Sequence, residues 1–250
     1  MNYETAESEF KKYAKDYDKT NPKINLKIKH SFTVVEKSEF IAKELGLNSE
    51  NIELAKIIAL LHDIGRLKQI KLYNSFKDHN TMDHGNYAIK ILFEDNLIRN
   101  FVYDNKHDKI ISKAIKNHNK YKIEERLTDE KLLHCKIIRD ADKLDNYEII
   151  STTEKTFSPT DKITNEVFND FINHKNIDIT TLKTELDKFI YYITWIFNIN
   201  FDCSLKYIQE KNYINLMFDR FKFEDKETKN KIEQLRKVAN NYLENKINSR

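Results

Sequence analysis

Six histidine and aspartate residues lie on apolar stretches of the chain, where an ionisable side chain needs a partner. Two of them, His62 and Asp63, are adjacent and follow the apolar run Ile57–Leu61. A buried carboxylate is costly unless it is paired, hydrogen-bonded or bound to a metal ion. The other four residues are His30, His84, His118 and Asp142. Successive positions are separated by about one helix and its connection, so a helical bundle can bring all six to one point.

The residue types at these positions are those of a transition-metal site. Imidazole and carboxylate groups suit Mn, Fe, Co, Ni or Zn, and six of them exceed the four ligands of a usual zinc site. Two divalent ions that share Asp63 as a bridge would use all six side chains. Two ions about 4 Å apart can activate a water molecule and clamp a phosphoryl oxygen, as in phosphomonoester or phosphodiester hydrolysis. A glycine-rich nucleotide turn is not an alternative, because the chain has only 3 glycines.

Helical periodicity predicts the elements that must hold these residues. Apolar positions recur at intervals of three and four, and Asn21-Pro22, Gly46 and Asn48 mark helix ends. The helices predicted before residue 150 are Tyr3–Tyr17, Ile24–Leu45, Asn51–Ile64, Met82–Phe93, Asp108–His118 and Lys131–Glu148. Gly65 is predicted to end the third helix. Arg66 to Thr81 then forms a long polar loop, of a length that is more often functional than not.

The composition favours an all-α fold in the cytoplasm. With 3 Gly and 2 Pro in 250 residues, the chain lacks the turn residues that a sheet-rich fold needs. The net charge of +3 is too small to indicate a nucleic-acid-binding protein. Cys135 and Cys203 show no CxxC spacing, which suggests free thiols in a reducing compartment. No apolar run reaches the roughly 20 residues that span a bilayer, so no membrane partner is expected.

The sequence changes character near residue 150. We expect an N-terminal helix over residues 1–24, a metal-binding core over 25–150 and a helical extension over 151–250 that packs on the core. Ser151 to Asn165 is polar and contains Pro159, which indicates a linker or lid. The extension is rich in aromatic residues at helical spacing. These residues most simply form its hydrophobic core, and a base-stacking platform is the alternative.

Together these features resemble the HD domain superfamily of metal-dependent phosphohydrolases. The HD motif is His62-Asp63, the upstream first histidine is His30, and the last aspartate is Asp142 in the segment Arg139–Asp145. The resemblance covers about residues 25–150. It implies an all-α, HD-domain helical bundle, with additional C-terminal helices beyond it.

The resemblance also implies which residues bind metal. His30, His62, Asp63 and Asp142 would hold a first divalent ion. His84 and His118 match the extra histidines of members with two ions, where Asp63 would be the bridge. Phosphodiesterases of the cyclic-di-GMP class often carry adjacent histidines at the fifth helix, but Asn119 follows His118 here and their Gly-Tyr-Pro signature is absent. These departures argue against that substrate and leave the metal site intact.

Three residues are predicted to take part in catalysis: Asp63, Arg66 and Lys143. Asp63 would hold a metal-activated hydroxide, and the two cations could balance phosphate charge. Arg66 could equally be a surface or ion-pair residue. The basic residues of the predicted loop could reach a substrate but are more simply solvated; they are Lys68, Lys71, Lys77 and His79.

The expected function is hydrolysis of a small phosphorylated substrate, a nucleotide or another phosphoester, with two divalent ions per chain. An HD-fold di-iron oxygenase would use the same ligands on a carbon substrate and is the alternative. The aromatic extension would cover the site and set its specificity. The sequence leaves open whether the protein forms a homo-oligomer.

The remaining histidines and aspartates have simpler interpretations. His134 shares a helix face with apolar residues and is interpreted as structural. His107 and His174 are expected in loops or on the surface. Asp140 or Asp145, which flank Asp142, would orient a ligand histidine through a hydrogen bond.

Overall fold

A computed structural model describes residues 1–153, 157, 161–175, 177–223 and 225–248 of the chain. Within these ranges the chain forms helices and turns and no β-strand, which confirms the all-α prediction. It divides into two compact units, Met1–Asp145 and Asn146–Arg250. The predicted division at residues 24 and 150 stays a prediction. Pro159, in the predicted linker, lies outside the described residues.

The first unit is built from helices that surround one buried helix. They are α1 (Tyr3–Tyr13), α2 (Pro22–Glu44), α3 (Ser49–Leu61), α4 (Ile64–Tyr73), α5 (His84–Ile89), α6 (Ile98–Phe101), α7 (Asp108–Asn117) and α8 (Asp129–Thr152), the last of which continues past residue 145. Helix α3 packs against α1, α2 and α7, while α4 packs against α2 and α5. In α3 every residue from Leu54 to Leu61 is buried except Lys56, as its nearly continuous apolar run indicates.

Local signals place the ends of α2 and α3. Asn21 accepts a hydrogen bond from the backbone N–H of Lys23 at 3.0 Å, and Pro22 occupies the first turn, where its missing N–H costs nothing. Gly46 follows α2 with a φ of 66°, a conformation that favours glycine. Asn48 caps α3 through the N–H of Asn51 at 2.9 Å. The boundaries predicted from these residues therefore lie close to the observed ones.

The long loop predicted from Arg66 to Thr81 is wrong. The chain turns at His62-Asp63 and continues as α4, which buries Leu67 and Ile70 three residues apart. This apolar spacing is visible in the sequence, but the lysines that alternate with the apolar residues made the segment look like a polar loop. The true connection to α5 covers residues 74–83 and contains one short 3₁₀ turn, Asp78–Asn80.

Gly65 does not end a helix, as predicted, but lies in the first turn of α4. A Cβ atom on Gly65 would lie 2.3 Å from the carbonyl oxygen of His84 and 2.9 Å from the backbone nitrogen of Ala88. Glycine is therefore required because the backbones of α4 and α5 approach closely. This contact places the start of α5 beside the turn that carries His62 and Asp63.

Smaller differences concern the ends of other helices. Helix α1 stops at Tyr13 and is followed by a 3₁₀ turn, Ala14–Asp16. Helix α5 is shorter than predicted, since five residues of π-helix follow it at Lys90–Glu94. Helix α8 extends two residues before and four residues beyond its predicted bounds of Lys131 and Glu148.

The second unit continues with short helices and one long one. They are α9 (Asn165–Ile172), α10 (Glu185–Ile193), α11 (Asp202–Glu210), α12 (Tyr213–Phe218) and α13 (Lys226–Asn248). Phe171, Phe189 and Phe218 are almost fully buried within this unit, as expected for aromatic residues that form a core. Among the described helices of the whole chain, none has the length and apolar character that a bilayer crossing requires.

Candidate metal centre

Four of the six predicted ligands, all histidines, converge on the carboxylate of a fifth, Asp63. The Nε2 atom of His84 lies 3.3 Å from this carboxylate, and those of His30, His62 and His118 each lie 3.6 Å from it. The four imidazole rings and Asp63 are buried. Asp142, in α8, completes the group, since its Oδ1 lies 3.1 Å from Nε2 of His30.

The two oxygens of Asp63 divide the histidines into two pairs. Oδ2 faces His30 and His62, whereas Oδ1 faces His84 and His118. We call the first group, with Asp142, the first half-site and the second group the second half-site. Each pair of histidines, with Asp63, places its donor atoms within 4.8 Å of one another, close enough to hold one metal ion. Asp63 precedes α4 but makes no capping hydrogen bond, so the backbone N–H groups of α4 do not compete with the histidines for its carboxylate.

The rings of His62 and His118 are oriented in the same way. Each residue directly follows its helix, α3 or α7, and its Nδ1 lies 2.6 Å from the carbonyl oxygen three residues earlier, in Ala59 or Ile115. The last carbonyl groups of a helix lack intrahelical partners. Nδ1–H donates to one of them, and this bond turns Nε2 toward Asp63.

The rings of His30 and His84 are oriented by carboxylates instead. Nδ1 of His30 lies 2.5 Å from Asp145, so one of the two aspartates expected to orient a ligand histidine does so. Nδ1 of His84 lies 2.6 Å from Asp78, a residue that was not selected as a site residue from the sequence. A carboxylate behind a histidine fixes its tautomer and makes the other nitrogen a better metal ligand.

In their neutral form, the four rings would present unprotonated Nε2 atoms to one carboxylate. All four Nδ1 atoms face oxygen acceptors, so each neutral ring carries its proton on Nδ1 and a lone pair on Nε2. Nε2 of His84 and Nε2 of His118 are only 3.0 Å apart. Nε2 of His62 is buried and has no hydrogen-bond partner among the described residues, while the buried Nε2 of His30 faces the carboxylates of Asp63 and Asp142. Converging lone pairs of this kind fit a site for cations, so the donor set suits divalent metal ions.

The electrostatic environment favours the protonation states that metal binding needs. Burial lowers the pKa of His62 to about 3 and the pKa of His84 to about 4, so both rings are neutral at pH 7. Burial opposes ionisation of Asp63, but Lys27 and His62 outweigh it and hold its pKa well below the usual range. His30 is the exception: burial and Lys27 oppose its protonation, but Asp142 and Asp145 outweigh them and raise its pKa above the ordinary value, so metal binding at this ring must displace a proton.

Comparison with protein families agrees with this geometry. The family model described as HD domain matches residues 28–147, a segment that contains all six converging residues. Residues 28–147 are an HD domain. This match is consistent with the metal-dependent hydrolases of the HD superfamily. Comparisons with curated proteins and with solved structures gave no match.

A lysine that directly precedes the matched segment contacts the central carboxylate and was not selected from the sequence. Nζ of Lys27 lies 2.7 Å from Oδ2 of Asp63, and its side chain is 16% exposed. Lys27 precedes His30 by three residues in α2, so both side chains lie on one face of the helix. That spacing was the available signal. A cation already lies beside the oxygen that faces the first half-site.

Arg66 and Lys143, predicted to contact phosphate, occupy different surroundings. Nη1 of Arg66 donates to Gln69, to the carbonyl of Phe76 and to Asp78, while its Nε lies 3.8 Å from Oδ1 of Asp63. Arg66 thus holds the 74–83 connection beside the site. Burial lowers the pKa of Lys143 to about 8. A catalytic role for either residue stays a prediction.

The other basic residues of the wrongly predicted loop are dispersed. Lys68 and Lys71 belong to α4, and Lys71 donates to the carbonyl of Asp16 at 3.3 Å. Lys77 and His79 are exposed in the 74–83 connection. Their interpretation as solvated side chains is therefore the simpler one.

Asn119 turns away from the metal centre although it directly follows His118. Its amide Nδ2 lies 3.3 Å from Asp78 and 3.2 Å from Asp83. Its Oδ1 lies only 2.8 Å from the position of a Cβ on Gly85. The side chains of His118 and Asn119 therefore lie on opposite sides of the start of α5, and only that of His118 faces Asp63.

The remaining histidines lie outside the metal centre. His134 is buried and its Nε2 donates to Asn51 at 2.8 Å, as expected of a structural residue. His107 lies in the connection before α7, as expected of a loop residue, but it is not a surface residue. It is only 6% exposed, because it packs in at the start of α7 and contacts Glu50 at 3.0 Å. His174 is exposed, as expected.

Proposed function

We propose that this HD domain hydrolyses a small phosphoester with two divalent metal ions bound in its two half-sites. The observation that carries the proposal is the division of the Asp63 carboxylate, because its two oxygens face separate pairs of histidine Nε2 atoms. In this proposal His30, His62 and Asp142 hold one ion, and His84 and His118 hold the other. Asp63, whose two oxygens face the two half-sites, would contribute to holding both ions.

The chain's own residues would then divide the work of the reaction. Bound divalent ions would activate a water molecule and neutralise charge on the phosphoryl oxygens. Asp63 orients this chemistry by fixing the spacing of the two half-sites. Lys27 lies beside Asp63 and is placed to bind a phosphoryl oxygen as a charged donor. The contacts of Arg66 with Phe76 and Asp78 would keep the 74–83 connection in place during turnover.

The substrate we propose is a nucleotide or another small phosphorylated compound in the cytoplasm. Its phosphate would meet Lys27 and Lys143, both of which lie next to predicted ligands. The two cysteines are free thiols, in keeping with a reducing compartment. Membership of a hydrolase superfamily does not favour the di-iron oxygenase.

Metal analysis coupled to a phosphate-release screen tests the proposal. The purified wild type, loaded with Mn²⁺, is compared with Asp63→Ala across nucleotides and simple phosphomonoesters and phosphodiesters. Asp95→Ala, which removes an exposed carboxylate of the same unit, is the matched control. We expect metal binding and hydrolysis in the wild type and control, and loss of both in Asp63→Ala. A wild type that binds no transition metal, or that hydrolyses only what Asp63→Ala also hydrolyses, contradicts the proposal.

The number of ions is tested separately. His84→Ala removes one of the two histidines of the second half-site and leaves the first half-site intact. We expect the ratio of bound metal to protein to fall from about two toward one. An unchanged ratio would argue for a single-ion site.

A further inference from the structure

Asp78 lies at the centre of the 74–83 connection and faces the back of the second half-site. Its Oδ2 lies 2.6 Å from Nδ1 of His84. Its Oδ1 lies 2.6 Å from Nη1 of Arg66 and 3.0 Å from Nε2 of Gln69. Nδ2 of Asn119 approaches Oδ2 at 3.3 Å. One carboxylate thus joins a candidate metal ligand to side chains of α4.

The orientation of the His84 ring depends on this carboxylate, whereas no side chain orients the rings of His62 and His118 in the same way. Those two residues follow helices and use a backbone carbonyl to fix their rings. His84 is instead the first residue of α5. At a helix start the free backbone groups are N–H donors and not carbonyl acceptors, so a side chain must accept the Nδ1 proton.

The position of Asp78 is itself fixed by α4. Gln69 is fully buried, and its Nε2 lies within hydrogen-bond distance of Asp78, of Oγ1 of Thr81 and of the carbonyl of Met82. Arg66 holds the carbonyl of Phe76 and Asp78 together. The connection is therefore tied to α4 at several points around Asp78. Its carboxylate is held before any ligand binds.

We propose that Asp78 is a positioning residue for the second half-site, which holds His84 with its proton on Nδ1 and its Nε2 aimed at Asp63. Through Asp78, the 74–83 connection sets the affinity of this half-site for its divalent ion. The proposal rests on the proposed function only in assuming that both half-sites bind metal, and it does not require that the substrate be a phosphoester.

Titration of the full-length, chelator-stripped protein with Mn²⁺ in a calorimeter tests this role. Loss of a carboxylate that supports a ligand histidine typically weakens metal binding by roughly 10–100-fold. We expect Asp78→Ala to weaken the binding of one of the two ions by that factor and to change the affinity for the other by less than about twofold. Asp78→Asn keeps an oxygen acceptor and should lose less metal affinity than Asp78→Ala. Asn80→Ala, which truncates an exposed side chain of the same connection and keeps the contacts of Asp78, is the matched control and should bind both ions nearly as the wild type does.

A double variant identifies the ion concerned. His84→Ala with Asp78→Ala should bind metal no more weakly than His84→Ala alone, because Asp78 acts through His84. Nitrogen NMR of the metal-free protein gives a readout independent of metal. The His84 ring should carry its proton on Nδ1 in the wild type and lose that preference in Asp78→Ala.

Several results would overturn the positioning role. Asp78→Ala could weaken the binding of both ions equally, or the double variant could bind metal more weakly than His84→Ala alone. The His84 tautomer could be unchanged in Asp78→Ala, or the wild type could bind fewer than two ions. The proposed function fails differently. Suppose that the wild type binds two ions and that Asp78→Ala weakens the binding of one of them as expected, but that no substrate releases phosphate. The positioning role would then stand, and the phosphoester proposal would be wrong.

Discussion

Lys27 and Asp63 show how single residues prepare the site for cations. The ammonium group of Lys27 lies 2.7 Å from an oxygen that also faces His30 and His62. In the absence of a divalent ion, this contact offsets part of the cost of burying a carboxylate. A bound ion would provide the same compensation more strongly. The contribution of Lys27 to the free energy of unfolding should therefore depend on whether metal is present.

We predict that Lys27→Met destabilises the metal-free protein by about 2 kcal/mol, the typical worth of a hydrogen bond to a charged group. The effect should shrink when Mn²⁺ is added, since the ion then compensates Asp63. Urea unfolding with chelator and with Mn²⁺ measures both values. Lys29→Met, at an exposed position of the same helix, is the control and should change little in either condition. Equal losses with and without metal would contradict the prediction.

At the scale of helices, the site depends on the close approach of α4 and α5 at Gly65. The contact brings the start of α5, and with it His84, next to the turn that carries Asp63. No side chain fits between the two backbones. Helix packing and the geometry of the second half-site are therefore linked through one glycine.

We predict that Gly65→Ala destabilises the protein by about 1–3 kcal/mol, the usual cost of overpacking, and weakens metal binding at the second half-site. The new methyl group must push α5 away, because the atoms it meets are backbone. Gly46→Ala is a useful comparison: open space surrounds its Cβ, but its φ is 66°. It should cost about 1 kcal/mol through backbone strain and leave metal binding unchanged. Unfolding curves and Mn²⁺ titrations distinguish the two variants, and similar metal affinities in both would refute the link.

His134 provides a pH-dependent link between α8 and α3. Burial, followed by the charge of His107, lowers the pKa of His134 to about 4 from an ordinary value of 6.5. Its contribution to stability is therefore complete above about pH 6.5 and declines as the pH falls toward 4. The decline amounts to about 3 kcal/mol if His134 is accessible to protons only in the unfolded chain.

We predict that His134→Gln flattens the dependence of the unfolding free energy on pH between about 6.5 and 4. Glutamine can still donate to Asn51 but does not titrate. Denaturant unfolding at a series of pH values gives the difference from the wild type. His79→Gln removes an exposed histidine and should leave the profile unchanged. A His134→Gln profile parallel to that of the wild type would show that this histidine does not contribute.

The sequence was sufficient to predict the elements whose ends carry local signals. Capping residues located α2 and α3, and the apolar run identified α3 as the buried helix. Gly65 was misinterpreted because a glycine that stops a helix and a glycine that admits a neighbouring backbone look the same in a single sequence. The roles of Asp78 and Lys27 were missed for a related reason. Contacts of Asp78 with Arg66 and His84 depend on where the chain folds back, which residue spacing alone does not specify.

At the scale of the whole molecule, the six converging residues all belong to the unit Met1–Asp145. A ligand stabilises the structure to which it binds by an amount set by its concentration and affinity, about 2.7 kcal/mol at 100 times the dissociation constant. The effect of metal should therefore be confined to part of the chain. The second unit contributes no residue to the described metal centre.

We predict that adding Mn²⁺ to the stripped protein slows amide hydrogen exchange in α2, α3, α7 and the first half of α8. Exchange in residues 177–223 should stay the same. Mass spectrometry of peptic fragments with and without Mn²⁺ measures both regions. Asp63→Ala should show no response in either region. Equal slowing in both units of the wild type would show that they open together, contrary to the prediction.

The orientation of Asn119 restricts how this centre could evolve. Exchange of Asn119 for histidine, a change at one codon, would not add a seventh donor, because the side chain at this position points behind His84 toward Asp83 and Gly85. A lineage that acquired a further cation here would have to rebuild the start of α5 at the same time. At this position, the six-residue arrangement is therefore separated from a seven-donor cluster by a simultaneous change of side chain and backbone.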